Sequence, residues 1–192
     1  MSKKVYGVGI NDLKGLEITR TQKEYRLWRD VLKRCYDEYY LNRFPTYRGC
    51  SVAEEWLLFS NFKRDIVNVK NFEKSKDGWV LDKDLCSHTK TYSKETCCFI
   101  PDRLNLFISN LPQAYKAPYD KRFDVYYSYC NDVHGKRTYL GRYKSKEEAC
   151  EAYLKFKALV FLDMIEFYKD DLDEKILTRL KNIGDNYCES VS

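Results

Sequence analysis

Paired cysteines, histidines and long apolar runs are what this sequence lacks, and each absence closes off a class of function. Only two histidines, His88 and His134, occur in 192 residues, and the eight cysteines (35, 50, 86, 97, 98, 130, 150 and 188) contain no Cys-x-x-Cys. A structural zinc ion would have to gather four ligands from scattered positions, so zinc is not expected. No stretch of 18 apolar residues is present, and the start, with Lys3 and Lys4, lacks the apolar run of a secretion signal. Both observations predict a soluble, intracellular protein with no membrane partner. In a reducing compartment its cysteines are expected to be free thiols. The Gly7-Val-Gly9 pair is followed neither by a helix start nor by Gly-Lys-Ser/Thr, which excludes a phosphate loop.

What the chain does have is basic charge in particular places. The net charge of +5 is modest, and its pull on polyanions is correspondingly moderate. Its distribution says more: residues 1–43 carry ten basic and six acidic side chains, whereas residues 163–192 carry four and eight. Between Gln113 and Ser145 there are seven basic residues (Lys116, Lys121, Arg122, Lys136, Arg137, Arg142, Lys144) and three acidic ones (Asp120, Asp124, Asp132). Attraction to nucleic acid, where it exists, is expected upstream of the C-terminal segment.

The same basic stretch has the clearest local pattern. In Arg122-Phe-Asp-Val-Tyr-Tyr-Ser-Tyr129, alternation places Phe123, Val125, Tyr127 and Tyr129 on one face of a strand and Arg122, Asp124, Tyr126 and Ser128 on the other. Asn131-Asp-Val-His-Gly135 supplies turn residues, and Tyr139-Leu-Gly-Arg-Tyr143 reads as a second strand with a bend at Gly141. Ser145 and Glu148 have capping-box spacing, and Ala149, Tyr153, Phe156 and Val160 then fall on one helical face. A sheet with one face under a helix and the other carrying Arg, Lys and Tyr suits the DNA major groove. Acidic Asp170 to Glu174 opens a last helix running to about Lys181, read as a solvated end.

This hairpin, with Tyr-Leu-Gly-Arg-Tyr and then Ser-Lys-Glu-Glu-Ala-Cys-Glu-Ala-Tyr153, resembles the Apetala/ethylene-response-factor DNA-binding domain over roughly residues 115–165. It departs from that family at the first strand, where Tyr115-Lys-Ala-Pro118 stands in place of a Gly-Val strand. The resemblance implies a three-stranded antiparallel sheet packed on one helix. It also implies contact with double-stranded DNA through Arg122, Arg137, Arg142 and Lys144, helped by Tyr126 and Lys136.

Upstream, Tyr25, Trp28, Leu32, Cys35 and Tyr36 recur at helical spacing over about 24–40, with Arg26, Arg29, Lys33 and Arg34 read as a solvated face. A second aromatic helix spans Ala53 to Arg64. Two short strands, Gly78 to Asp84 and Tyr92 to Pro101, lead into a helix over Asp102 to Ser109. That order can bring Asp82 and Asn105 around a hard divalent cation.

Trp28-Arg-Asp-Val-Leu-Lys-Arg-Cys-Tyr36, Pro45-Thr-Tyr-Arg-Gly-Cys-Ser-Val52, Leu81-Asp-Lys-Asp-Leu85 and Tyr92-Ser-Lys-Glu-Thr-Cys-Cys-Phe-Ile-Pro101 are similar to phage HNH-type homing endonucleases, in which an HNH-like ββα module precedes an Apetala-type domain. The resemblance implies an α+β fold with four parts: an arm (1–20), an HNH-like domain with flanking helices (21–112), an Apetala-like domain (113–168) and an acidic C-terminal helix and tail (169–192). Carried over position by position, it puts Mg2+ or Mn2+ on Asp82 and Asn105, the general base on Lys83 and the orienting Asn at Thr96. Lysine is a poor base near neutral pH, and His88 serves only if its loop folds back. The implied activity is thus a weak nickase or a nuclease fold kept for DNA binding, in the cytoplasm of a phage's host cell. The 17 tyrosines and 10 phenylalanines equally suit a protein interface. A second reading is therefore an anti-defence factor that binds and inhibits a host defence or polymerase protein.

Overall fold

The computed structural model describes residues 4–13, 22–87, 89–111 and 114–191; His88 and the first two residues of the expected linker, Pro112 and Gln113, lie outside them. The architecture is α+β, with six α-helices and small, mostly antiparallel sheets among the described residues. The chain divides into two compact units, residues 1–102 and 103–192, a division ten positions upstream of Pro112. No helix among the described residues is long and apolar enough to cross a membrane.

In the first unit the expected helix over 24–40 is two helices, α1 (Lys23–Tyr36) and α2 (Glu38–Arg43). Asp37 breaks it. Its backbone is extended and its carboxylate accepts the amide of Tyr40 at 3.1 Å, so a new N-cap outcompetes continuation. The apolar stripe of α1 buries Tyr25, Trp28, Val31, Leu32 and Cys35, at roughly 1.5–3 kcal/mol for each large side chain. Next come β1 (Ser51–Val52), a tight turn over Glu54–Leu57 and α3 (Phe59–Ile66). The single helix expected over 53–64 is interrupted because Leu58 is extended and bridges in parallel to Ile10 of the arm.

Of that arm, Lys4 to Leu13 are among the described residues, and the rest of 1–20 lies outside them. The Ile10 amide donates to the Leu57 carbonyl at 2.8 Å, and the Phe59 amide to the Ile10 carbonyl at 3.0 Å. Asp12 accepts the Ser60 amide at 2.9 Å and also its hydroxyl, supplying from a distance the cap that apolar Leu58 cannot. Gly9 is required by close approach: a Cβ there would sit 2.4 Å from Leu32 Cδ1 and 2.8 Å from Trp28 Cζ2.

Strand β2 (Trp79–Asp82) is followed by β3 (Thr91–Tyr92), which pairs in parallel with β1. Then β4 (Cys98–Pro101) pairs antiparallel with β2, and α4 (Asp102–Ser109) follows at once. The core of this unit is aromatic, with Trp28, Trp56, Phe59, Phe62, Tyr92 and Phe99. Its two buried indoles are satisfied, Trp28 by the Trp56 carbonyl at 2.7 Å and Trp56 by Asp65 at 3.2 Å. One expectation is overturned. Cys86 and Cys98 form a disulfide, because the β2–β4 pairing folds the intervening loop back until their Cα atoms lie 6.4 Å apart.

The second unit holds β5 (Tyr119–Asp120), β6 (Val125–Asn131) and β7 (Arg137–Tyr143) in an antiparallel sheet of order β5-β6-β7. Against β6 and β7 packs α5 (Lys146–Tyr168). Its N-terminus carries the expected capping box, and Ala149 is fully buried beneath the sheet. Helix α5 is buried on more than the single face predicted, since α6 (Glu174–Val191) packs on it as well. The acidic segment is therefore structural: Asp173 caps α6 by accepting the Ile176 amide at 2.8 Å, and Leu172, Ile176 and Leu180 are buried.

Candidate nucleic-acid interface

The open face of the sheet is set by one irregularity in β7. Along the ladder Tyr126 pairs with Tyr143, Tyr127 with Arg142 and Ser128 with Gly141, but Tyr129 pairs with Tyr139. Leu140 is one residue too many, a β-bulge. Gly141 accommodates it at φ +136°, a conformation side-chain-bearing residues rarely adopt. The consequence is a change of phase. Arg137 and Tyr139 point outward, and after the bulge Arg142 rather than Gly141 takes up the outward series, as the exposure of residues 137, 139 and 142 shows.

On β6 the outward residues are Tyr127 and Tyr129, whose rings lie 6.3 Å apart and 6.3 and 5.4 Å from Tyr139. Val125 belongs to the same side by alternation and is buried. Arg137 lies over Tyr129, its guanidinium carbon 4.1 Å from the ring centroid. The expected DNA contact at Tyr126 implies that its side of the strand faces outward; in the structure the other side does, and Ser128 faces the helix. Ser128 and Cys130 are buried, with Cys130 beside Tyr153 and Lys157 of α5. Where Ala149 holds the helix close, the sheet presents small Ser128 and Cys130 to it. Tyr126 lies on the Ser128 side as well, near the start of β6, 4.8 Å from Tyr119 and apart from the arginine face.

Charge pairing on this unit is uneven. Of the three acids between residues 113 and 145, Asp120 pairs with Arg122 at 3.0 Å, and Asp124 accepts the Tyr119 hydroxyl at 2.7 Å. The third, Asp132, accepts the amides of His134 and Lys136, each at 2.9 Å. Among the described residues Lys136, Arg137, Arg142 and Lys144 have no carboxylate partner, and all four are exposed. Arg122 is exposed too, but Asp120 already engages its guanidinium.

The expected catalytic residues sit differently. Asp82 ends β2 opposite Cys98; it is buried, and its Oδ1 accepts the Leu85 amide at 2.8 Å. Burial, together with the charge of nearby Asp84, pushes its carboxyl above the usual range. Lys83 is 3 % exposed, ion-pairs with Asp84, and lies 5.5 Å from the Tyr92 ring centroid. Burial disfavours its charge, but the bond to Asp84 outweighs that, and the ammonium is held above the ordinary lysine range. A lysine so held does not accept a proton near neutral pH.

Thr96 is committed to a turn: its hydroxyl donates to the Thr91 carbonyl at 2.6 Å and accepts the Ser93 amide at 2.9 Å. Beside it, burial pushes the Cys97 thiol up to about 12. Asn105 lies on α4, half-buried, in the second unit. No three His, Cys, Asp or Glu side chains among the described residues converge as a metal site would require. Asp82 has one oxygen already bonded to the Leu85 amide and stands next in sequence to the buried ammonium of Lys83.

Two features escape a sequence reading. Arg34, placed by its spacing on a solvated face, is half-buried and bonded to Tyr92. Lys157, on the helix predicted to pack through aliphatic and aromatic residues, is buried, with its Nζ donating to the Asn110 carbonyl at 2.7 Å. Only the apolar neighbours Phe156, Ala158, Val160 and Phe161 hint at burial around Lys157. In comparisons with known proteins the chain matches no family model, no curated relative and no solved structure.

Proposed function

We propose that the protein binds double-stranded DNA through the outer face of β6 and β7, and that residues 21–112 are an HNH-like module that no longer cleaves. The observation that carries the reading is the phase change at Leu140, which gathers Arg137, Tyr139 and Arg142 on one exposed face beside Tyr127 and Tyr129. Strands lie about 4.8 Å apart, so the two-stranded ribbon β6–β7 fits a groove about 12 Å wide. Arginine is suited both to bidentate contact with guanine and to phosphate, and Lys136 and Lys144 at the two ends of β7 are placed for the backbone. The antiparallel pair β2–β4, with two-residue β3 in the intervening loop, leads straight into α4, which supports the HNH-like assignment. Buried, amide-bonded Asp82 and protonated Lys83 support loss of cleavage.

The test is a gel-shift titration of duplex DNA across a salt series with wild type and Arg137→Ala/Arg142→Ala. Affinity is expected to fall roughly 10- to 100-fold at low salt, with a salt slope shallower by about two charges. Wild-type affinity in the double variant overturns the sheet as the docking face. Plasmid relaxation with Mg2+ or Mn2+ is expected to show no nicking. Metal-dependent nicking that Asp82→Ala abolishes would overturn the non-cleaving half of the proposal.

A further inference from the structure

Within the second unit a cavity of about 530 Å³ opens between α4, the segment around Tyr115, the end of β6 and α5. That volume is in the range of about 300–1,000 Å³ typical of small-molecule sites. Four cations line it (Arg103, Lys116, Arg137 and Lys157) against a single carboxylate, Asp132. The acid is largely spent, since it already accepts the amides of His134 and Lys136. The cavity is therefore electropositive.

Lys157 is the unusual member. The residue is only 4 % exposed, yet no carboxylate among the described residues pairs with it; it has the Asn110 carbonyl and the rings of Phe107 at 5.7 Å and Tyr153 at 5.5 Å. An ammonium has three N–H groups, and one of them is committed to Asn110. Desolvation lowers its pKa, as burial without a counter-ion should. Arg103 is held in place: its Nη2 donates to the Asp132 carbonyl at 2.8 Å, passing so close to Gly135 that a Cβ there would lie 2.9 Å from it. The walls are aromatic, with Tyr115 stacked on Tyr153 at 3.9 Å and an interplanar angle of 6°, and with Phe107 stacked on Phe161 at 5.5 Å.

We propose that this cavity binds a nucleoside 5′-monophosphate, the phosphate meeting Lys157, Arg103 and Arg137 and the base meeting the rings of Phe107 and Tyr115. A buried cation lacking its counter-ion calls for an anion, and the ring walls call for a flat heterocycle rather than a bare phosphate. The nucleotide has two sources, free in solution or turned out of a DNA strand, since Arg137 belongs both to the cavity and to the outer sheet face. Only the second source rests on the DNA-binding reading.

The test uses the full chain. Isothermal titration with dAMP, dGMP, dCMP and TMP separately is compared with deoxyadenosine and inorganic phosphate. In a second arm, 2-aminopurine at one position of a duplex reports unstacking by a rise in fluorescence. Lys157→Met keeps the length of the side chain without its charge, and Leu106→Trp crowds the cavity from a residue that is 53 % exposed, so folding is not at stake. At least one deoxynucleotide is expected to bind more tightly than both deoxyadenosine and phosphate, with each variant weakening it at least ~10-fold. A duplex signal lost in Leu106→Trp while duplex affinity persists identifies DNA as the source and supports the proposal equally. Phosphate binding as tightly as every nucleotide, or neither free binding nor a fluorescence change, overturns it. Loss of duplex binding in Arg137→Ala/Arg142→Ala without any nucleotide signal leaves the sheet interface standing and the cavity proposal refuted.

Discussion

Gly141 stands opposite Ser128 across the ladder, at the point where the inward series of β6 meets the extra residue of β7. The pair couples packing to display: Ser128 is buried, and Gly141 absorbs the bulge that turns Arg142 outward. Gly141→Val is expected to destabilise the protein by about 1–3 kcal/mol, from the strain of φ +136° in a β-branched residue. The new Cβ would also meet the Tyr143 hydroxyl at 3.1 Å. Urea denaturation checks the stability. The same variant at a temperature where it remains folded should bind duplex DNA more weakly than wild type, because the arginine face is no longer in phase.

Asp82 offers a pH test of its role. Its carboxyl is raised by burial, so the folded state holds that proton more tightly than the unfolded chain does. The stability this lends is full below the ordinary carboxyl value of 3.8 and disappears as pH rises through the higher folded value. Asp82→Asn retains an oxygen for the Leu85 amide and removes the buried charge. Thermal melts from pH 4 to pH 7 should show the variant gaining on wild type as pH rises; a variant less stable than wild type at pH 7 would mean that the carboxylate is the form the fold needs.

Reduction should weaken the first unit. The Cys86–Cys98 bridge closes a loop with a sequence separation of 12, for which chain-entropy arguments give about 3 kcal/mol. Unfolding in denaturant with and without dithiothreitol, and with Cys86→Ser/Cys98→Ser, is expected to show losses of about 2–4 kcal/mol that agree with each other.

Ser145→Ala removes one half of the capping box on α5, where the Ser145 hydroxyl accepts the Glu148 amide and Glu148 returns a bond to the Ser145 amide, both at 3.2 Å. A loss of about 1 kcal/mol is expected from equilibrium denaturation. Duplex affinity should be unchanged in the folded protein, because neither residue belongs to the outer sheet face.

Local signals in the sequence proved strong where a few neighbours decide the outcome. The Ser145–Glu148 cap, the span of α4 and the turn at Gly135 need only nearby residues, and each forms as its pattern predicts. The misreadings share a cause, which is competition settled by distant partners. Leu58 is extended because Ile10 bridges to it, Cys86 is bridged because β2 finds β4, and Tyr127 and Tyr129 face outward because α5 packs on the side of Ser128 and Cys130. Of the expected interface, Arg137 and Arg142 share a face only through the bulge, which Gly141 signalled merely as a bend. Alternation groups Tyr126 with Ser128 correctly but does not say which side of the strand the helix covers. Lys157 was invisible because a lysine in a helix is normally read as solvated.

The arm bridged at Ile10 also bears on when the first unit can form. Ile10 and Leu58 are 48 positions apart, so at about 5–20 residues per second the partner of the arm is synthesised roughly 2 to 10 s after the arm itself. Until then nothing holds Gly9 against Trp28 and Leu32, and those side chains remain uncovered. The hairpin β6–β7, by contrast, joins strands separated by one short turn, and hairpins close in about 1–10 μs. The arm is therefore among the last segments of the first unit to find its place, whereas the β6–β7 hairpin can close as soon as its own strands exist.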